Sequence, residues 1–146
     1  MFREILQYTK VADGKLIEIF QQNQRVSAKA ISLFSHVLNA QHVWAHRILD
    51  RPVQQGVWEN LEVGCFEKIA QENFNLFAEI LNTISMDEEI TYKNATGEYT
   101  NTVQDILFHV FNHSTYHRGQ IASLLKLDEI FPPVTDYIIL KREHQL

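Results

Sequence analysis

A chain of 146 residues is long enough for one domain with a real core and too short for two comfortable ones. Hydrophobic residues make up 45% and charged residues 21%, which places it among ordinary soluble globular proteins. The formal charge of -5, with lysines and arginines scattered rather than clustered, excludes a basic field of the kind that holds nucleic acid or an anionic membrane surface.

The opening stretch, "MFREILQYTKVADGKLIEIF", mixes charge with apolar residues at helical spacing. It has no uninterrupted apolar run of signal-peptide type, and no later window approaches a membrane span. The single cysteine, Cys65, has no partner for a disulfide within the chain. These features point to a cytoplasmic protein.

Periods near 3.6 dominate, so the chain reads as mostly helical. The first predicted helix covers residues 2 to 23, with Ile5, Ala12, Leu16, Ile19 and Phe20 on its inner side and the run "QQNQ" at its end. Ser27 then reads as the N-cap of a second helix, "AKAISLFSHVLNAQHVWAHRIL", which Pro52 stops. "DRPVQQGVWEN" reads as a surface connection. A third helix begins near Leu61 or Gly64, with Phe66, Ile69, Phe74, Phe77 and Ile80 or Leu81 as core candidates. Cys65, in its loop or first turn, reads as a small buried residue.

"ITYKNATGEYTNT" has β-branched and aromatic residues on both sides of Asn-Ala-Thr-Gly, the pattern of a short hairpin. Asn101 or Thr102 caps the fourth helix, with Asp105 complementing its positive end, and the helix runs to Lys126. "FPPVTDYIILKRE" closes the chain as an irregular segment plus a short strand or helix. Four long amphipathic helices in one domain predict an all-α four-helix bundle with a hairpin-like insert before the last long helix.

The fourth helix places His109, His113 and His117 four residues apart. Residues at that spacing differ by about 40° in direction and about 6 Å in height, so two imidazoles reach one ion. Residues eight apart are about 12 Å apart along the axis. Metal–nitrogen bonds of about 2.0–2.1 Å therefore forbid His109 and His117 from sharing a metal. On the helical wheel His117 lies about 40°, His113 about 80° and His109 about 120° from the centre of the apolar arc. The pair nearest the interior is His113 with His117.

A third donor must come from another helix, and the second helix offers His36, His42 and His46. Its apolar arc, which includes Leu33, Phe34, Val37, Leu38 and Trp44, leaves His46 opposite, beside Ser35 and Asn39. His36 and His42 lie on the two edges of the arc. The wheel does not separate them.

With these residues in view, "LFSHVLNAQHVWAHRI" and "HVFNHSTYHRGQI" resemble the DinB/YfiT-like family of metal-binding four-helix bundles. The resemblance covers nearly the whole chain, and His113, His117, Arg118, Gly119 and Gln120 all fall in place in the second motif. It implies one metal ligand from the second helix and two from the fourth, here His36, His113 and His117, with His42 as the alternative to His36. It also implies a thiol-dependent transferase or isomerase, as in some relatives, and a stress-linked role.

Three histidines leave coordination positions open, as catalytic sites do. Neutral imidazoles suit Zn, Ni, Co or Fe equally. Gln120 is a pocket candidate beside His113 and His117. Arg47, on the same edge of the second helix as His36, is a candidate for binding a carboxylate on a thiol or substrate, with a surface ion pair as its ordinary alternative. Trp44 reads as core. The leading expectation is a metal-dependent enzyme that joins a low-molecular-weight thiol to a small electrophile. The alternatives are a metal- or ligand-binding protein without turnover and a metal-dependent hydrolase. A homodimer is the expected assembly.

Overall fold

The computed structural model describes residues 1–146 and is mainly helical. Helices α1 (Phe2–Gln22), α2 (Ala28–Ile48), α3 (Phe66–Thr83) and α4 (Val103–Leu127) form its body. Strands β1 (Glu89–Asn94) and β2 (Gly97–Thr102) lie between α3 and α4, and a short α5 (Tyr137–Arg142) closes the chain. No helix is long and apolar enough to cross a membrane.

Local chemistry sets the element ends. The Ser27 side chain accepts from the amide of Ala30 at 3.4 Å, the expected N-cap of α2. Of the two candidates for α4, Thr102 is the cap: its hydroxyl accepts from the Asp105 amide and donates to the Asp105 carboxylate at 2.7 Å. β1 and β2 pair antiparallel, with Glu89 opposite Thr102 and Asn94 opposite Gly97. Their two-residue turn needs Gly97 at φ 152°, and Asn94 Oδ1 accepts from the amides of Thr96 and Gly97. The closing segment, open between strand and helix in the sequence, forms α5 because Asp136 caps it through the amides of Ile138 and Ile139.

The buried residues form two apolar clusters separated by a polar layer. One cluster joins Leu16 and Phe20 of α1, Phe34 and Leu38 of α2, Phe66 of α3, and Ile121 and Leu125 of α4. The other joins Leu6, Ile48, Phe77, Ile80, Val103, Leu107 and Phe111. Between them each long helix contributes polar groups. Arg118 Nη1 of α4 donates to Asp13 Oδ1 of α1 at 2.8 Å, with both side chains almost wholly buried. Gln41 Nε2 of α2 donates to Asp13 Oδ2 at 2.9 Å and to Ser114 Oγ of α4 at 3.2 Å. Asn73 Nδ2 of α3 donates to Gln41 Oε1 at 3.3 Å. All four long helices are thus tied at one level.

The order of the clusters along each helix gives the direction of the chain. α1 and α4 run one way, and α2 and α3 run the other. Since α2 and α3 point the same way, the chain must return along α2 before α3 begins. The 21 residues of α2 span about 31 Å, which requires an extended connection.

Residues 51–62 are that connection, and the polar stripe of α2 holds them. Five side chains take backbone partners along a strap that runs broadly antiparallel to α2, with the His36 and Asn39 partners exchanged in order. His46 Nδ1 donates to the Pro52 carbonyl at 2.8 Å, and His42 Nε2 accepts from the Gln54 amide at 3.4 Å. His36 Nδ1 donates to the Val57 carbonyl at 3.0 Å, and Asn39 Nδ2 to the Glu59 carbonyl at 2.7 Å. Ser35 Oγ accepts from the Leu61 amide at 3.1 Å. The stripe that the wheel sets opposite the apolar arc is therefore buried under a strap, with Ser35 and Asn39 fully covered.

Three other expectations are corrected. Cys65 is exposed rather than buried, because a 3₁₀ turn over Val63–Cys65 delivers Phe66 to the core in its place. Ile5 and Ile19 are only half-buried, while Leu6, Thr9, Asp13 and Ile17 are buried, so the inner face of α1 is rotated toward the polar layer. Trp44 is half-buried, its ring edge-on to Tyr92 of the hairpin at 4.8 Å.

Removing one partner of a buried, hydrogen-bonded ion pair leaves the other charge uncompensated. Arg118→Ala is expected to destabilise the fold by about 3–5 kcal/mol. Asp13→Ala combined with Arg118→Met should cost less than the sum of the single changes, measured by urea unfolding at neutral pH.

Candidate metal centre

α2 carries Ser35 and Asn39 under the strap and His36 beside them, which turns His36 toward α4. On α4, Ser114 and Arg118 face the polar layer. The residues immediately before them, His113 and His117, sit about 100° further round the helix. That rotation aims both imidazoles at His36. His36 is buried, whereas His113 and His117 are half-buried.

Nε2 of His36 lies 3.0 Å from Nε2 of His113, which lies 3.1 Å from Nε2 of His117. One ligating nitrogen from each ring falls within 4.8 Å of the other two. Donors bonded at about 2.0–2.1 Å around a tetrahedral ion stand about 3.3 Å apart, so these separations suit a shared cation.

The proton inventory supports the same conclusion. The Nδ1–H of His36 is spent on the Val57 carbonyl, and Nδ1 of His117 faces Gln120 Oε1 at 2.6 Å, an acceptor. Both rings therefore present a bare lone pair at Nε2. Nε2 of His113 stands between them and carries at most one hydrogen. At least one of the two short contacts thus sets lone pair against lone pair. A divalent cation satisfies all three nitrogens at once, and the residues present fit one.

Protonation does not relieve this crowding. Burial, together with the imidazoles of His117, His36 and His109, pushes His113 down to about 4. His36 is lowered as well, chiefly by burial. Both rings are neutral near pH 7, the form that binds metals.

The other expected site residues separate clearly. His42 hydrogen-bonds the strap and stacks on His46 with ring centroids 3.9 Å apart, so of the two candidates on α2 only His36 enters the cluster. His109 is exposed, with its ring against Trp44 at 5.7 Å. Gln120 stands beside the cluster and orients His117. Arg47 makes no surface ion pair. It packs over Trp44 and Tyr92, at 4.6 and 5.0 Å from their ring centres, and donates to the Lys93 carbonyl at 3.2 Å.

Two contributors lie in the strap and are missed by helical periodicity. The Val57 carbonyl sets the tautomer of His36. Trp58 stacks on the His36 ring at 3.6 Å with an interplanar angle of 5°, although 63% of it is exposed. Their one sequence signal is "GVW", an apolar step inside an otherwise polar connection.

A pH dependence follows from His113. Above its ordinary value of 6.5 neither the folded nor the unfolded chain protonates it. Below that value the unfolded chain takes up a proton while the folded ring resists until about 4. Chelator-stripped protein should therefore lose stability as pH falls from 6.5 toward 4. His113→Gln should show a shallower loss in urea midpoints measured across that range.

No curated protein sequence matches the chain significantly. A profile of the DinB family matches residues 9–145, which take in α2, α3, the hairpin, α4, α5 and all three clustered histidines. The chain therefore belongs to the DinB family.

Proposed function

We propose that the protein is a metal-dependent enzyme in which His36, His113 and His117 hold one divalent ion. On this reading the four long helices act as a four-helix bundle that carries the site at its middle. The reaction is transfer or isomerisation through a low-molecular-weight thiol acting on small electrophiles, with a hydrolase as the alternative. The carrying observation is the meeting of three Nε2 atoms whose lone pairs exceed the hydrogens available between them.

Zn, Ni, Co and Fe all accept neutral imidazoles. When bound, such an ion supplies Lewis acidity, which lowers the pKa of a thiol or water enough to give a nucleophile near neutral pH. The chain's own residues do the rest. The Val57 carbonyl and Gln120 hold His36 and His117 with Nε2 free, which sets both ring orientation and ligand basicity. Trp58 covers one face of His36 and keeps that ring from turning. Its exposed edge forms a wall at the half-open side, where a small electrophile can approach. Gln120 is retained here as a positioning residue, and Arg47, already engaged by Trp44, Tyr92 and Lys93, is not assigned to the thiol.

Alanine at His36, His113 or His117 should abolish stoichiometric metal binding, while His42→Ala and His109→Ala retain it. Gln120→Ala should weaken binding about 10- to 100-fold. Elemental analysis and competition with a chelator, after stripping and reloading, check this ordering.

Turnover is tested with the reloaded protein, a panel of small thiols and a panel of electrophiles. Thiol-dependent product that disappears in His113→Ala supports the transferase. Product formed equally without thiol assigns the site to hydrolysis. Stoichiometric metal with no turnover in either assay overturns the enzyme and leaves a binding protein.

A further inference from the structure

A cavity opens between α1 and α3, and none of its lining residues belongs to the histidine cluster. It measures about 160 Å³. That is close to the roughly 150 Å³ of an apolar cavity able to hold a benzene ring. Its walls are aromatic, from Phe74, Phe77 and Phe111. Its inner end reaches the polar layer at Thr9, Asp13 and Gln41, each of them more than nine-tenths buried.

Gly14 is part of the α1 wall of the cavity. It lies within α1, where glycine costs about 1 kcal/mol relative to alanine. A Cβ built there meets no atom within 4 Å, so neither a close neighbour nor a turn demands glycine. Gly14 lines the cavity, so the space where its side chain would stand is part of it.

The polar end has a definite hydrogen-bonding character. Both Nε2 hydrogens of Gln41 are committed, to Asp13 and to Ser114. The Thr9 hydroxyl donates to the Ile5 carbonyl at 2.9 Å, and Gln41 Oε1 accepts from Asn73. The Asp13 carboxylate receives one donor on each oxygen and has about four lone-pair sites in all. What remains at this inner end is spare acceptor capacity on the Asp13 and Thr9 oxygens. The charge of Asp13 is already matched by Arg118, and at the exposed rim the Lys10 ammonium, over the Phe74 ring at 4.2 Å, is offset by the Glu67 carboxylate, so the lining favours neither a cation nor an anion.

We infer that this cavity between α1 and α3 is a binding site for a small uncharged ring compound carrying one O–H or N–H donor. The ring lies among the three phenylalanines, and the donor reaches the Asp13 or Thr9 oxygen. Such a molecule contacts all four long helices through the polar layer and leaves the histidine cluster free.

Phenol and toluene serve as matched probes, titrated into the full-length protein and followed by two-dimensional amide NMR. Phenol should give saturable one-to-one shifts confined to the cavity lining, around Leu6–Ile17, Gln41, Glu67–Phe77 and Phe111. Toluene should bind roughly three- to ten-fold more weakly, the worth of one hydrogen bond. Gly14→Leu should abolish phenol binding while keeping the melting temperature and metal content of the parent. Ala70→Leu, which fills the cavity from α3, does the same if the α1 variant fails to fold. Phenol shifts that do not saturate, that map elsewhere, or that persist in the filled variant overturn the site. Equal affinity for toluene overturns the donor assignment.

Discussion

The Asp13–Arg118 ion pair is the constraint on which the other features turn. Two apolar clusters, one at each end of the long helices, are non-directional and tolerate small rotations of a helix about its axis. A buried carboxylate facing a buried guanidinium does not, since any misalignment strands a charge in the interior. With Gln41, Asn73 and Ser114 joined to the pair, each helix has one allowed rotation and one height. On α4 this matters directly for the site, because Ser114 and Arg118 each follow a clustered histidine by one residue. Rotating α4 to move His113 and His117 would break the pair.

A similar economy governs α2. Because α2 and α3 run in the same direction, the connection between them has to travel the length of α2, and its backbone needs partners. Ser35, His36, Asn39, His42 and His46 supply them. His36 alone among these also faces α4. Its Nδ1 serves the strap and its Nε2 serves the cluster, so folding the strap onto α2 and setting the tautomer of the site are one event. The remaining two histidines of α2 are explained by the strap, which removes the need to find them a chemical role.

The cluster is held in a form that has little use in a purely structural core. Three imidazoles converge through nitrogens that lack enough hydrogens to satisfy one another, and an exposed indole lies on one of them. Burying such a group is costly unless something completes it. The polar layer behind shows the opposite treatment, with most of its groups paired. The contrast distinguishes a layer whose groups satisfy one another from a cluster whose nitrogens do not.

Much of the fold was readable in the residues themselves. The spans of α1, α2 and α4 to within a residue or two, the Ser27 cap, an α4 cap at Asn101 or Thr102, the hairpin at Asn-Ala-Thr-Gly and the pairing of His113 with His117 all follow from contacts within a few residues, where geometry is set by 100° per residue or by a single side chain. Family resemblance named His36, but spacing could not choose it over His42, since both lie on edges of one apolar arc. That choice belongs to tertiary structure, as does the burial of Asp13, the exposure of Cys65 and the part played by Val57 and Trp58. Each depends on which distant segment covers a given face. The periodicity of one helix carries no information about the strap laid on it or the helix across from it. Local periodicity was enough to show which faces are apolar and which histidines can share a turn. Only the packed chain, through a connection forced back along α2 and an ion pair that locks the rotation of α4, decided which three imidazoles meet.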